Sequence, residues 1–342
     1  MTKPTFTIVL PCHNGGDYLK ECVASVLAQD YDAFELTVLE NGSTDGSLEW
    51  LQAIDDPRVR LYPSPLLTIE ANWARAATIP KLEFMTLIGC DDRLDANYLR
   101  VMADLIERFP DAGLYHAHFR FIDKRGDVIR SCGRLPEQET AAGYIAALYT
   151  YCRDTYGTGY LMRSKAYDVF GGIPPFEGLL FADDALWIGM MQDKYKATAP
   201  EECFSCRLHN ASAGRSAPWQ SWLNSMRDYI RFLKKVAAKD PMFSAALAEF
   251  GPPYFMNYCQ SLYKLAMVQA TKQNRRVEND VAERLAGVLA EIAPDGTLNL
   301  NVFAKSRTMR LRRFINSSYV TRMIYNLFIL VKHGEWKGRL LH

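Results

Sequence analysis

The sequence predicts an α/β fold: a mostly parallel sheet flanked by helices, followed by a helical C-terminal region. Three observations carry this. Short apolar runs alternate with helical periods through the first hundred residues. Hydrophobic residues fill 49% of the 342 positions and charged residues 23%, which supports a large core and excludes a disordered tail or a small disulfide scaffold. After about residue 214 the strand pattern stops and helical periods remain.

Each element follows in order. Phe6-Thr-Ile-Val-Leu10 is a short apolar run that ends at Pro11, as a buried parallel strand does. Residues 18–29 keep Leu19, Cys22, Val23, Val26 and Leu27 on one helical face. A second strand, 34–39, is cut off by Asn41-Gly-Ser43. Helix 45–54, strand 59–62 and helix 69–77 come next. Strand 84–88 then stops at Gly89-Cys-Asp-Asp92, and helix 96–108 follows. Residues 113–130 are extended with a turn at 124–127. A helix is expected over 182–193 and an extended segment over 195–208. Beyond a loop at 210–218, helices are expected over 219–238, 244–250, 254–273 and 277–292. This divides the chain into residues 1–214 and 215–342.

Lys plus Arg number 40 against 39 for Asp plus Glu, so overall charge names no partner. The C-terminal end differs: between Lys305 and His342 there are nine Lys or Arg against one acid, Glu335. No secretory signal and no run long enough to span a membrane is visible, so a cytoplasmic chain with reduced thiols is expected for the eight cysteines. Cys203-x-x-Cys206 lacks a second pair, and His116 and His118, on one strand face, lack a third ligand; metal binding is the weaker reading of both.

In parallel sheets ligands bind beyond the carboxyl ends of the strands, where Pro11-Cys-His-Asn14, Glu40-Asn-Gly-Ser43 and Cys90-Asp-Asp-Arg93 should meet. The glycine fingerprints of dinucleotide and P-loop sites are absent, so a nucleotide must be held another way. Asp91-Asp92 at a strand end either caps the next helix or holds a divalent cation on a diphosphate. Asp183-Asp184 either caps a helix or supplies a general base. Arg207-x-His209 offers an anion partner and a metal or phosphate ligand.

Taken together these motifs resemble the family 2 glycosyltransferases. The carrying residues are Thr7-Ile-Val-Leu-Pro-Cys-His-Asn14, Leu39-Glu-Asn-Gly-Ser-Thr-Asp-Gly-Ser47, Cys90-Asp-Asp92, Gly171-Gly172, Ala182-Asp-Asp-Ala-Leu-Trp187 and Arg207-Leu-His209. The resemblance covers about residues 5–214. It implies the GT-A nucleotide-diphospho-sugar transferase fold and an inverting enzyme that uses a nucleotide-sugar donor (UDP-, GDP- or dTDP-sugar) with Mn²⁺ or Mg²⁺. It places Pro11, His13, Asn14, Glu40 and Asn41 in the nucleotide pocket. Asp92 becomes the metal ligand, Asp91 lies toward ribose or metal, and His209 lies near the diphosphate or metal. Asp184 becomes the catalytic base, with Asp183 beside it. Two positions depart from the family pattern, Gly89 where an acid is common and Asn41 where Asp is common. They favour, as an alternative, a non-catalytic sugar-nucleotide-binding scaffold on the same fold.

The acceptor implied is a saccharide or lipid-linked saccharide, as in surface polysaccharide or glycolipid assembly. Residues 305–333 combine basic side chains with Val320, Ile324, Leu327, Phe328 and Val331 at helical spacing. Such a stretch either packs on the preceding helices or lies on an anionic membrane, giving a peripheral protein on the inner face. No nucleic-acid motif is seen.

Overall fold

The computed structural model describes residues 3–208, 217–277, 280–293 and 307–332. Its sheet begins as the alternation predicts. β1 (Phe6–Cys12), β2 (Phe34–Glu40), β3 (Val59–Tyr62) and β4 (Phe84–Leu87) pair in parallel in the order β3-β2-β1-β4. Every residue of β1 is buried, as a strand covered on both faces requires. β1 runs past Leu10 through Pro11, because β4 pairs with β1 only as far as Leu87 opposite Val9. Pro11, which has no N–H to give, therefore faces β4 where the ladder has already ended. The crossovers are α1 (Gly16–Leu27), α2 (Ser47–Gln52) and α3 (Ile69–Ala74), the last capped by the Thr68 hydroxyl on the Ala71 N–H.

Beyond β4 the sheet is mixed rather than mostly parallel. After β5 (Arg93–Leu94) and α4 (Tyr98–Arg108) come β6 (Leu114–Ile122), β7 (Val128–Ser131), β8 (Gln138–Glu139), α5 (Ala141–Tyr149), β9 (Leu161–Arg163), α6 (Ser164–Phe170), α7 (Ala182–Met190) and β10 (Lys196–Arg207). The strand order continues β4-β9-β6-β10-β5. β9 is antiparallel to both β4 and β6, β5 and β8 are antiparallel to β10, and only β6 with β10 is parallel. β5, β8 and β9 have only two or three residues each and partners distant in sequence, so local pattern does not reveal their direction.

The helical region opens with α8 (Trp219–Ala237), whose Leu223, Met226, Ile230 and Leu233 are buried. Burial of each contributes about 1.5–3 kcal/mol. α9 (Pro241–Lys272) is one continuous helix, started by Pro241 and by the Asp240 carboxylate on the Met242 and Phe243 N–H groups. The sequence predicts a break at Gly251-Pro-Pro253; instead the helix carries both prolines, held by buried Leu247 before them and Tyr254 and Phe255 after them. α10 (Val281–Ile292), α11 (Arg307–Ser317) and α12 (Tyr319–Lys332) complete the described chain.

Two hydrophobic clusters sandwich the sheet. One contains α1 and α4; the other joins Val9, Leu39 and Leu87 of the sheet to α5, α7, α8, α9 and α10. The C-terminal helices thus share the core of the strands, although the expected boundary at 214 falls outside the described residues. Asn316 of α11 and Arg322 and Asn326 of α12 hydrogen-bond to residues at the end of α9. Among the described side chains of these two helices, six large apolar ones remain exposed, including Phe314, Val320 and Ile324. Among the described residues no helix is long and apolar enough to cross a membrane.

Candidate active site

The clusters at the strand ends meet as parallel pairing requires. Cys12 lies opposite Glu40 in the β1–β2 ladder, which sets His13 and Asn14 beside the loop after β2. His13 donates from Nδ1 to the Asn41 carbonyl (2.9 Å) and accepts at Nε2 from the Asn14 amide (3.1 Å). Asn14 adopts a left-handed backbone and accepts the Thr44 N–H at 2.8 Å. Glu40 is fully buried: Oε1 accepts the Ser43 N–H (2.6 Å), while Oε2 has no partner among the described residues. Asn41 is expected near a nucleotide base, but its side-chain amide is engaged otherwise. It donates to the Leu67 carbonyl (3.1 Å) and accepts the Leu67 N–H (2.7 Å), which pins the loop before α3.

The two aspartate pairs are held differently. Asp92 is fully buried and accepts three hydrogen bonds, from the Thr158 hydroxyl (2.8 Å), the Tyr156 hydroxyl (3.2 Å) and the Arg207 N–H (3.0 Å). Burial, then the neighbouring Asp91 charge, pushes its carboxyl well above the usual range, against the pull of those donors. Asp91 is partly exposed. Gly89 explains how the two fit: a Cβ there would lie 2.8 Å from Asp91 Oδ1 and 2.9 Å from Asp92 Oδ2.

Asp183 and Asp184 sit in the first turn of α7, whose preceding residue Phe181 is left-handed and provides no side-chain cap. Both are partly exposed at the helix N-terminus, where a negative charge is favoured. The Tyr144 hydroxyl donates to Asp184 Oδ1 at 2.8 Å. Burial and the Asp183 charge raise Asp184 well above an ordinary carboxyl, and the Tyr144 bond opposes them. The same loop that holds Asp92 reaches this pair. Gly157, between Tyr156 and Thr158, packs so closely that a Cβ would lie 2.9 Å from Asp183 Oδ2.

Arg207 does not serve as a free anion partner. Its buried guanidinium binds Glu21 Oε2 (2.5 Å) and the carbonyls of Asp91, Asp123 and Lys124 and lies over the Tyr18 ring. It locks the Asp91–Asp92 turn from behind. His209 lies outside the described residues. His116 is buried and stacks on Tyr160 at 3.8 Å, while His118 hydrogen-bonds to Ala199 and Leu135, so the two strand histidines serve packing. Cys203 and Cys206 are buried free thiols that burial pushes upward. Among the described residues no group of three or more His, Cys, Asp or Glu could hold a metal by itself.

Sequence pattern misses Tyr144, Tyr156 and Thr158, which act on residues 40 to 66 positions away. Only Gly157-Thr-Gly159 signals that this stretch is unusual. It also misses a buried ionic cluster behind Tyr144: Glu139 pairs with Arg153 and with Lys196 (3.1 Å), and both cations face the Tyr144 ring, at 5.0 and 5.5 Å.

Comparison with known proteins gives this arrangement a context. Residues 7–171 match the model of Glycosyl transferase family 2. Glycosyltransferase GlyG of Streptococcus pneumoniae serotype 4 is 30% identical over 110 residues, 30% of this chain and 35% of that protein. A Pasteurella multocida hyaluronan synthase is 30% identical over 94 residues, 27% of this chain and 10% of that enzyme. The chain thus matches only about a third or less of the length of these relatives. The crystal structure of S. aureus TarS 1-349 in complex with UDP-GlcNAc superposes with a TM-score of 0.64 at 14% identity, over 94% of this chain and 92% of that one. The likeness extends through the C-terminal helices and shows a common fold.

Proposed function

We propose, from the match of residues 7–171 to the model of Glycosyl transferase family 2, that the chain moves a sugar from a nucleotide-sugar donor to an acceptor hydroxyl with inversion at the anomeric carbon. The observation that supports this best is the loop of Tyr156, Gly157 and Thr158, which binds Asp92 on one side and packs on Asp183 on the other. It links Asp91–Asp92 and Asp183–Asp184 through one loop, which supports reading them as the diphosphate side and the base side of one site.

Asp184 is the base in this reading. Its Oδ1 takes the Tyr144 hydrogen bond, and Oδ2 takes the acceptor's proton. The acceptor oxygen forms the new bond to the anomeric carbon from the face opposite the diphosphate. The old carbon–oxygen bond breaks, and the diphosphate leaves with the electron pair. A carboxyl raised by burial suits a base working near neutral pH. Asp183 adds negative charge beside it and keeps it raised.

Pro11, His13, Asn14, Glu40 and Asn41 frame the nucleotide pocket. Glu40 Oε2, buried without a partner among the described residues, suits an N–H of the base or a ribose hydroxyl. The donor set also suits Mn²⁺ or Mg²⁺, since two crowded carboxylates and a diphosphate are hard oxygen ligands. Asp91, the more exposed of the pair, would hold the ion, with the hydrogen-bonded Asp92 behind it and His209 as a further ligand. Bound there, the cation would offset charge on the leaving diphosphate. The role first expected of Asp92 thereby passes to Asp91.

A saccharide or lipid-linked saccharide is the acceptor, and polysaccharide or glycolipid assembly the setting. The exposed apolar side chains of α11 and α12, within the basic 305–333 stretch, suit peripheral attachment to an anionic membrane on its cytoplasmic face.

The test is a thermal shift of the protein with UDP-, GDP- and dTDP-sugars, with and without Mn²⁺, followed by NMR of the product anomer. A shift with one nucleotide class and an inverted product are expected. A retained configuration overturns the mechanism, a donor shift without turnover returns the chain to the scaffold reading, and no shift with any donor overturns both. Co-sedimentation with phosphatidylglycerol vesicles, absent with phosphatidylcholine, checks the membrane face.

A further inference from the structure

A cavity of about 400 Å³ opens between α8, α9 and the turn after α5. Its walls are unusual for a surface pocket. Trp222 and Tyr258 line it with rings 5.8 Å apart, and Tyr151 stands at its mouth, 62% exposed on a left-handed backbone. Asn257 and Ser261 add neutral polar groups, and Leu262 forms part of the floor. Among the described residues no ionisable acid or base other than tyrosine lines it.

The cavity is attached to the proposed base through consecutive ring contacts. Phe181, two residues before Asp183, packs on Trp222 (5.6 Å) and on Tyr258 (5.0 Å). From the other side, Tyr151 contacts Tyr254 (5.8 Å), which stacks on Tyr149 (4.2 Å). Tyr149 ends α5, the helix whose Tyr144 donates to Asp184. After burial, the charges of Asp184 and Asp183 are the next causes that raise the Tyr258 hydroxyl, as close approach requires.

We propose that this aromatic cavity is the acceptor subsite and that it binds a neutral sugar ring presented to Asp184. The inference rests on the transferase reading above and adds to it the place and chemistry of the second substrate. A pyranose has one face of C–H bonds and a rim of hydroxyls. The C–H face matches the electron-rich faces of Trp222 and Tyr258, and the rim matches the amide of Asn257 and the hydroxyls of Ser261 and the tyrosines. Among the described residues the wall carries no cation, which argues against a phosphate or carboxylate sugar, and the polar fringe argues against an acyl chain.

Saturation-transfer NMR on the full chain tests this with cellobiose, lactose, maltose and chitobiose, with sorbitol as a polyol lacking a ring. Two variants are compared, Tyr151→Ala at the exposed mouth and Trp222→Leu in the wall. At least one disaccharide should show transfer, weakened at least fivefold in both variants, while the donor thermal shift stays as in the native chain. The proposal is overturned if no disaccharide binds, if binding survives both substitutions, or if sorbitol or a decyl chain binds as well. A normal donor shift alongside such a failure leaves the transferase reading intact. Disaccharide binding that is lost in both variants, with no donor shift, keeps the subsite and overturns that reading.

Discussion

Asp91–Asp92 beyond β4 and Asp183–Asp184 at the start of α7 are the same dipeptide in two settings. Asp92 is fully buried and takes three hydrogen bonds from one loop and one strand. Asp184 is partly exposed and takes one, from Tyr144. Both carboxyls are raised by burial and by a neighbour of like charge. The difference lies in the oxygens left over: a carboxylate with every oxygen engaged can fix a turn, whereas one with an oxygen to spare can exchange a proton.

The comparison breaks first at Asp184. Replacing it with Asn removes the base and keeps the shape. Steady-state transfer should fall about 10²–10⁴-fold while the donor-induced thermal shift is retained; an equal loss of binding would make Asp184 structural. Asp92→Ala should act in the opposite way. Its donors lose their acceptor in the interior, and urea unfolding should show a loss of about 3 kcal/mol. A variant as stable as the native chain would mean that Asp92 does not hold the turn.

Asp91→Asn sharpens the contrast inside one pair. Its charge repels Asp92, so the variant's stability without ligand should be unchanged or higher. At a hundredfold excess over Kd a donor stabilises by about 2.7 kcal/mol, and the Mn²⁺-dependent part of that gain should vanish. Persistence of the metal effect would return the cation to Asp92. The smallest effect is expected for Tyr144→Phe, a drop in kcat of about 3–10-fold at neutral pH. The Tyr144 bond lowers the Asp184 pKa, so its loss raises it further. Because the base must be ionised, the acidic limb of the kcat profile should move to higher pH.

These pairs also mark what was legible in the sequence. β1 to β4 and their helices follow from apolar runs and helical periods, because β1, β2 and β4 are covered on both faces and each crossover is local. That the loops after β1, β2 and β4 share one edge follows from the same pairing. The antiparallel placement of β9 between β4 and β6 was not legible, since a three-residue strand has almost no period. Nor was the unbroken α9, where packing on both sides of Pro252-Pro253 overrides a strong local breaker. In the site, the acidic pairs were visible as residue types. Their anchors were not: Tyr144, Thr158 and the Arg207 backbone reach across the fold, and Arg207 reads as a ligand for an anion when its anion is Glu21. The same holds for Asn41, whose amide closes on Leu67.

Gly89 has a practical consequence for redesign. Averaging a family's residues at each position is a common route to sturdier variants, and the glycosyltransferase pattern that this sequence resembles would introduce an acid here. The bare α-carbon leaves no room for one: even the first added carbon would press on oxygens of Asp91 and Asp92, at 2.8 and 2.9 Å. A third carboxylate would also add charge beside a residue that already resists ionising. An acid at position 89 therefore calls for accompanying changes at 91 or 92, and a library that varies position 89 alone will score it as intolerant for a reason that belongs to the set.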